Sequence, residues 1–300
     1  MKQGTSRAAA VVLLTLVGAH EIYVQHRHVG PASARPPLSP PANASGFGRR
    51  LSAEACAFAS EAKVRVACVG DSLTRGDGSH EARRPKGRGI AQRGNYPAML
   101  QKMLGDRFEV RNFGHGGATA CNASDVPYAE TSEWVAARRF RPDVTVLMLG
   151  TNDAKVQHWE EPHCGPYAYA AGMRALLEGQ QEPRPFTLVL QPPPIIADRW
   201  GISQRLLPAV RAQLRALLPA SEFSAGVCDR GQVTLRAEEL PIQPSYAAFT
   251  KDGIHLNRAG SRQLACVAFI ELVRRCGACA SSRDASWRQQ LAKCADSARS

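Results

Sequence analysis

Four short stretches of this 300-residue chain carry side chains suited to acyl transfer. Gly70-Asp71-Ser72-Leu73 follows the apolar run at 64–69, so a serine stands two residues beyond a glycine that ends the run. Gly116-Gly117 lies in a tight loop, and Gly150-Thr151-Asn152-Asp153 closes a second, more continuous apolar run. Asp252-Gly253-Ile254-His255 comes late in the chain. A serine hydroxyl is a poor nucleophile at neutral pH and needs a base within hydrogen-bond reach. His255 is the candidate base, and Asp252, three residues earlier, is placed to orient the imidazole and stabilise its cation. Negative charge on the tetrahedral intermediate then calls for donors. The backbone N–H groups of Ser72 and Gly117 and the side-chain amide of Asn152 are the candidates.

Taken singly, each stretch has a plain structural explanation. A serine after Gly-Asp can cap a helix, a double glycine can serve a turn, and Asn-Asp can form an Asx turn. Asp252 and His255 can be a surface pair. Their value lies in where they fall. Apolar runs at 63–69, 108–112, 143–149 and 186–190 read as strands, and a weaker one is expected at 225–228. Helical spacing is expected at 96–104, 134–140, 167–178, 203–218 and 258–275. This alternation predicts a three-layer α/β/α domain with a largely parallel sheet. In such a sheet the loops at the carboxyl ends of the strands share one edge, where sites form. Ser72, Gly117, Asn152 and the Asp252–His255 pair all belong to loops of that kind.

Together these blocks resemble the SGNH (GDSL-type) esterase/lipase family, over residues 63–272. The resemblance implies a flavodoxin-like fold and cofactor-free, metal-independent ester hydrolysis through an acyl-serine. It puts the four signature residues at Ser72, Gly117, Asn152 and His255, and the carboxylate at Asp252. Two departures stand out. Members often carry serine before the oxyanion glycine, where this chain has Gly116. The segment from Arg75 to Arg93 is also long and basic, with six cations against Asp77 and Glu81. It reads either as a solvated loop or as a border that attracts an anionic substrate. Asp71, Arg75, Trp159 and Trp200 are further candidates for substrate contact; the tryptophans suit sugar or acyl stacking, or equally lid packing.

The family is broad in substrate. Removal of a small acyl group such as acetyl from a carbohydrate is the leading expectation. A lysophospholipase or acyl thioesterase, an O-acyltransferase using the same serine, and a non-catalytic binding module are the alternatives. A small-molecule or glycan ester is therefore the expected partner. The net charge of +12 raises nucleic acid as another, but the cations are scattered and no finger or aromatic platform accompanies them, so none is expected.

Lys2 and Arg7 precede an apolar run at 8–19, which reads as a signal peptide or signal anchor over 1–24. A Pro-rich stem over 25–50, the hydrolase domain over 51–275 and a peripheral basic tail over 276–300 follow. A secretory-lumen location, secreted or membrane-anchored, suits the nine cysteines and the sequons at Asn43 and Asn122. Cys68 and Cys266, in apolar runs, are expected to be buried free thiols. The other seven are disulfide candidates with open pairing. No His/Cys cluster argues for zinc.

Overall fold

The computed structural model describes residues 62–79, 94–160, 164–218, 233–236, 244–276 and 285–297. The signal segment, the stem, most of the basic segment and the strand expected at 225–228 lie outside these residues. Among the described residues no helix is long and apolar enough to cross a membrane.

Strand β1 (Val64–Gly70) feeds the one-turn helix α1 (Ser72–Arg75), and α2 (Tyr96–Leu104) leads into β2 (Phe108–Gly114). Then come α3 (Ser132–Arg139), β3 (Val144–Met148), α4 (Val156–Trp159), α5 (Pro166–Glu178) and β4 (Phe186–Leu190). The chain continues through α6 (Leu207–Leu217), β5 (Val233–Arg236), α7 (Arg258–Cys276) and α8 (Ala285–Ser297). All five strands are parallel, in the order β2-β1-β3-β4-β5. That is the flavodoxin-like order, whose direction of winding reverses between β1 and β3.

Alternation along each strand sorts the core into two layers. Val66, Cys68, Val110, Val146 and Leu188 face one side with Leu100 of α2, Leu264 and Phe269 of α7, and Trp287 of α8. Ala67, Val69, Phe113, Leu147 and Val189 face the other with Trp134 of α3, Met173 of α5, and Val210 and Leu214 of α6. Strands buried on both faces explain why 64–69 and 144–148 are nearly uninterrupted in apolar residues.

Register then sets the site. Gly70 pairs with Gly114 on one side and Met148 on the other. The first three strands therefore end level, and the loops that leave them open side by side.

Two expectations are corrected. Cys266 is not a free thiol: it is bonded to Cys294 of α8, while Cys121 pairs with Cys164. Cys68 is free and buried, and burial pushes its thiol up to about 12. Nor is the chain beyond Cys276 peripheral. Trp287 packs against Phe108 and Phe269 and donates its indole N–H to the Leu104 carbonyl. An apolar helical run such as that around Cys266 looks the same whether its cysteine meets a leucine or another cysteine, so the bond needed the fold to reveal it.

Candidate active site

Ser72 is the first residue of α1, with only Asp71 between it and the end of β1. Asp71 caps that helix, its Oδ1 accepting from the Leu73 N–H at 2.9 Å. The Ser72 hydroxyl thereby faces the loop before α7, 183 residues away in sequence. Its Oγ lies 3.1 Å from His255 Nε2, and His255 Nδ1 lies 2.8 Å from Asp252 Oδ2. A carboxylate only accepts, so Nδ1 carries the proton and Nε2 is left to take one from Ser72. Asp252 Oδ1 also accepts from the backbone N–H groups of Ile254 and His255, at 3.0 and 2.8 Å. Burial alone raises the Asp252 carboxyl; the bonds from the His255 ring and from these two N–H groups outweigh it and hold it below the ordinary value. The carboxylate stays ionised and fixes the ring.

The donor side is built from the other two strand ends. Gly117 has φ +80°, a left-handed turn that glycine adopts without strain. Asn152 is buried, and its amide donates to the Ala118 carbonyl at 3.0 Å, leaving its second N–H for another acceptor. Among the described residues the backbone N–H groups of Ser72 and Gly117 find no acceptor. Ser72, Gly117 and Asn152 thus stand in the loops that leave three neighbouring, level strand ends, each with a donor to spare, as an oxyanion requires.

Two residues that motif spacing did not single out hold this side in place. Asp153, fully buried, accepts from the N–H groups of Ala120 and Cys121 at 3.0–3.1 Å. It pins the loop after Gly117 from beneath, while the Cys121–Cys164 disulfide ties the same point to the start of α5. His158, also buried, donates from Nδ1 to the Asn152 carbonyl at 3.0 Å and sets Nε2 3.0 Å from Asp125. A signal existed for Asp153, which completes the Gly-Thr-Asn-Asp block. None existed for His158, which is one of eight histidines.

Three of the four substrate-contact candidates take other roles. Asp71 is 1% exposed and works as the helix cap. Trp159 is buried in the core, edge-on to Tyr169 with ring centroids 6.0 Å apart. Arg75 binds Asp77 through two nitrogens and lies across Gly116. A Cβ at Gly116 would have to push aside the Arg75 guanidinium, the flexible end of that side chain. Trp200 alone remains at the mouth, 57% exposed, its ring centroid 5.1 Å from that of His255. Among the described residues no group of three His, Cys, Asp or Glu side chains is placed to hold a metal ion.

Comparison with known proteins decides the family. The model of the GDSL-like Lipase/Acylhydrolase family matches residues 68–263, more than half of the chain and the span from β1 to α7. The chain belongs to that family. It is also similar to an acetylxylan esterase of Xylanibacter ruminicola, 28% identical over 221 residues. That match covers 68% of this chain and 42% of the relative, so the chain spans less than half the length of that protein. Among solved structures, an acetyl-xylooligosaccharide esterase from Geobacillus Stearmophilus aligns with a TM-score of 0.50 at 18% identity, over 70% of this chain and 94% of its own. At that identity the likeness is one of fold. A carbohydrate acetylesterase from Sinorhizobium meliloti aligns with a TM-score of 0.49 at 24% identity, over 70% of this chain and 98% of its own. Within the GDSL-like family, the nucleophile turn, the glycine loop and the Asn152 and His255 loops of this chain are the four blocks that meet at one edge of the sheet.

Proposed function

We propose that this chain is a serine-dependent carboxylic-ester hydrolase that removes a small acyl group, acetyl foremost, from a carbohydrate. The observation that carries the reaction is the continuous relay from Ser72 Oγ through His255 to Asp252, at 3.1 and 2.8 Å. Ser72 Oγ attacks the ester carbonyl carbon and its proton passes to His255 Nε2. The carbonyl π electrons move onto oxygen, where the N–H groups of Ser72, Gly117 and Asn152 receive the charge. The intermediate collapses as His255 returns the proton to the departing alcohol oxygen, which leaves an acyl-serine. Water, deprotonated by the same imidazole, then releases the acid and the free enzyme. Loss of one oxyanion donor typically costs about 2.7–4 kcal/mol in such chemistry, so removing the Asn152 amide should slow turnover about 10²–10³-fold.

The similarity to an acetylxylan esterase supports the carbohydrate ester. The disulfides Cys121–Cys164 and Cys266–Cys294 support an oxidising, secretory compartment. The test is a profile across p-nitrophenyl esters from acetate to palmitate, run beside acetylated xylooligosaccharides and lysophospholipid. Acetate and the acetylated sugars are expected to be turned over fastest; a maximum at long chains or on lysophospholipid would refute the small-acyl reading.

A further inference from the structure

Trp200 sits in a conformation that a tryptophan rarely adopts. Arg199 and Ile202 exchange both backbone hydrogen bonds, with N···O distances of 3.3 and 2.8 Å, so Trp200 and Gly201 are the two central residues of a tight turn. Both have positive φ, +52° and +79°. This is the type I′ pattern, which favours Asn, Asp or Gly at the position Trp200 occupies. A bulky side chain at positive φ is a strained choice, and such strain clusters at functional sites.

The turn is also firmly held. The Val156 N–H donates to the Gly201 carbonyl and the Ser203 N–H to the Ala154 carbonyl, which ties it to the chain leaving Asn152. The Ile196 N–H donates to the Gly253 carbonyl, which ties the same loop to the turn carrying His255. Buried Arg211 donates from its guanidinium to the Pro192 carbonyl at 2.7 and 2.9 Å. The indole is therefore carried by a segment fastened to both halves of the site, yet more than half of its surface is open. It is not a side chain packed into the core.

Its position relative to the chemistry assigns the side of the substrate it meets. The group His255 protonates is the oxygen of the departing alcohol, so whatever bears that oxygen must lie next to the imidazole. Trp200, with its ring 5.1 Å from the imidazole, flanks the alcohol half of the ester. We propose that Trp200 is a stacking platform for the pyranose ring of the leaving sugar, and so the residue that makes this enzyme prefer sugar esters over simple alkyl esters. The proposal rests on the ester-hydrolase reading of Ser72. An indole face matches the C–H-lined face of a pyranose, and its rigidity means that little freedom is lost on binding.

The test compares ethyl acetate, whose alcohol is too small to stack, with an acetylated xylooligosaccharide. The full chain is compared with Trp200→Asn, which favours the turn's φ, and with Trp200→Phe, which keeps an aromatic face. For Trp200→Asn the KM on the sugar ester is expected to rise about tenfold relative to the KM on ethyl acetate, and the preference for the sugar ester, read as the ratio of the two kcat/KM values, to fall by the same factor. Trp200→Phe should recover most of the loss. An equal fall in kcat on both substrates would mean that the indole acts only through His255, and would overturn the platform. An unchanged KM on the sugar ester would overturn it too, as would a parent enzyme active on ethyl acetate and inert on the sugar ester. If the parent hydrolysed neither, the ester-hydrolase reading itself would fall and take this proposal with it.

Discussion

Asp71 stands beside the nucleophile in sequence and is closed off from substrate in space. Burial pushes its carboxyl up to about 7; the Leu73 N–H pulls it back and the nearby charge of Asp153 pushes it further. The buried Thr151 hydroxyl beside it also pulls it back, though less than burial raises it. Asp153 is raised in the same way, to about 6, by burial that its bonds from Cys121 and Ala120 only partly offset. Both carboxyls are therefore raised above the roughly 3.9 of an unfolded chain. Between about pH 4 and pH 7 the folded state holds protons that the unfolded state has released, so stability from these groups is full below about pH 4 and lost as pH rises through 7. Asp71→Asn keeps the cap and removes one titration. Its thermal midpoint, measured against the parent, should gain steadily from pH 4 to pH 8; a constant or shrinking difference would contradict this. The two tryptophans mark where sequence stops at this scale. Trp159 and Trp200 carry the same signal, an indole shortly after a strand end. One turns inward from α4 onto Tyr169, and the other stands exposed on a turn at positive φ. Only the backbone separates them.

At the level of elements, the site was legible because parallel pairing leaves little freedom. Apolar runs that end in glycine marked β1 and β3, and a shared register brings their ends together with that of β2. The departure at Gly116 was visible in sequence, but the Arg75 guanidinium lying against it was not, because Arg75 comes from α1, 41 residues earlier. The fit between α1 and the β2 loop makes a coupled prediction. Gly116→Ser must push the guanidinium aside and away from Asp77, at a cost of up to about 1 kcal/mol, and Arg75→Ala should remove that cost. Urea denaturation of the two single variants and the double variant reads the coupling. Additive effects would mean that the side chain and the glycine do not compete for space. The helix expected to start at 203 starts at Leu207, because 203–206 are used to anchor the loop bearing Trp200.

For the whole molecule, alternation of strands and helices was enough to specify the layers, since both faces of the sheet had to be covered. What it missed was the last piece of cover. Helix α8 has few apolar residues, and a basic tail with one tryptophan reads as exposed, yet Trp287 and Cys294 close the layer over α2 and α7. Trp287→Ala should cost about 3–5 kcal/mol in urea denaturation; a loss below about 1 kcal/mol would show α8 to be an ornament. The central claim for the folded unit is that one hydroxyl performs the chemistry. The direct measurement is labelling of the full chain by an organophosphonate serine probe, with ester hydrolysis followed in parallel, for the parent and for Ser72→Ala. The parent should incorporate one label and lose activity in proportion, while Ser72→Ala should take up none and hydrolyse no ester above background. Undiminished labelling or turnover in Ser72→Ala would contradict the account.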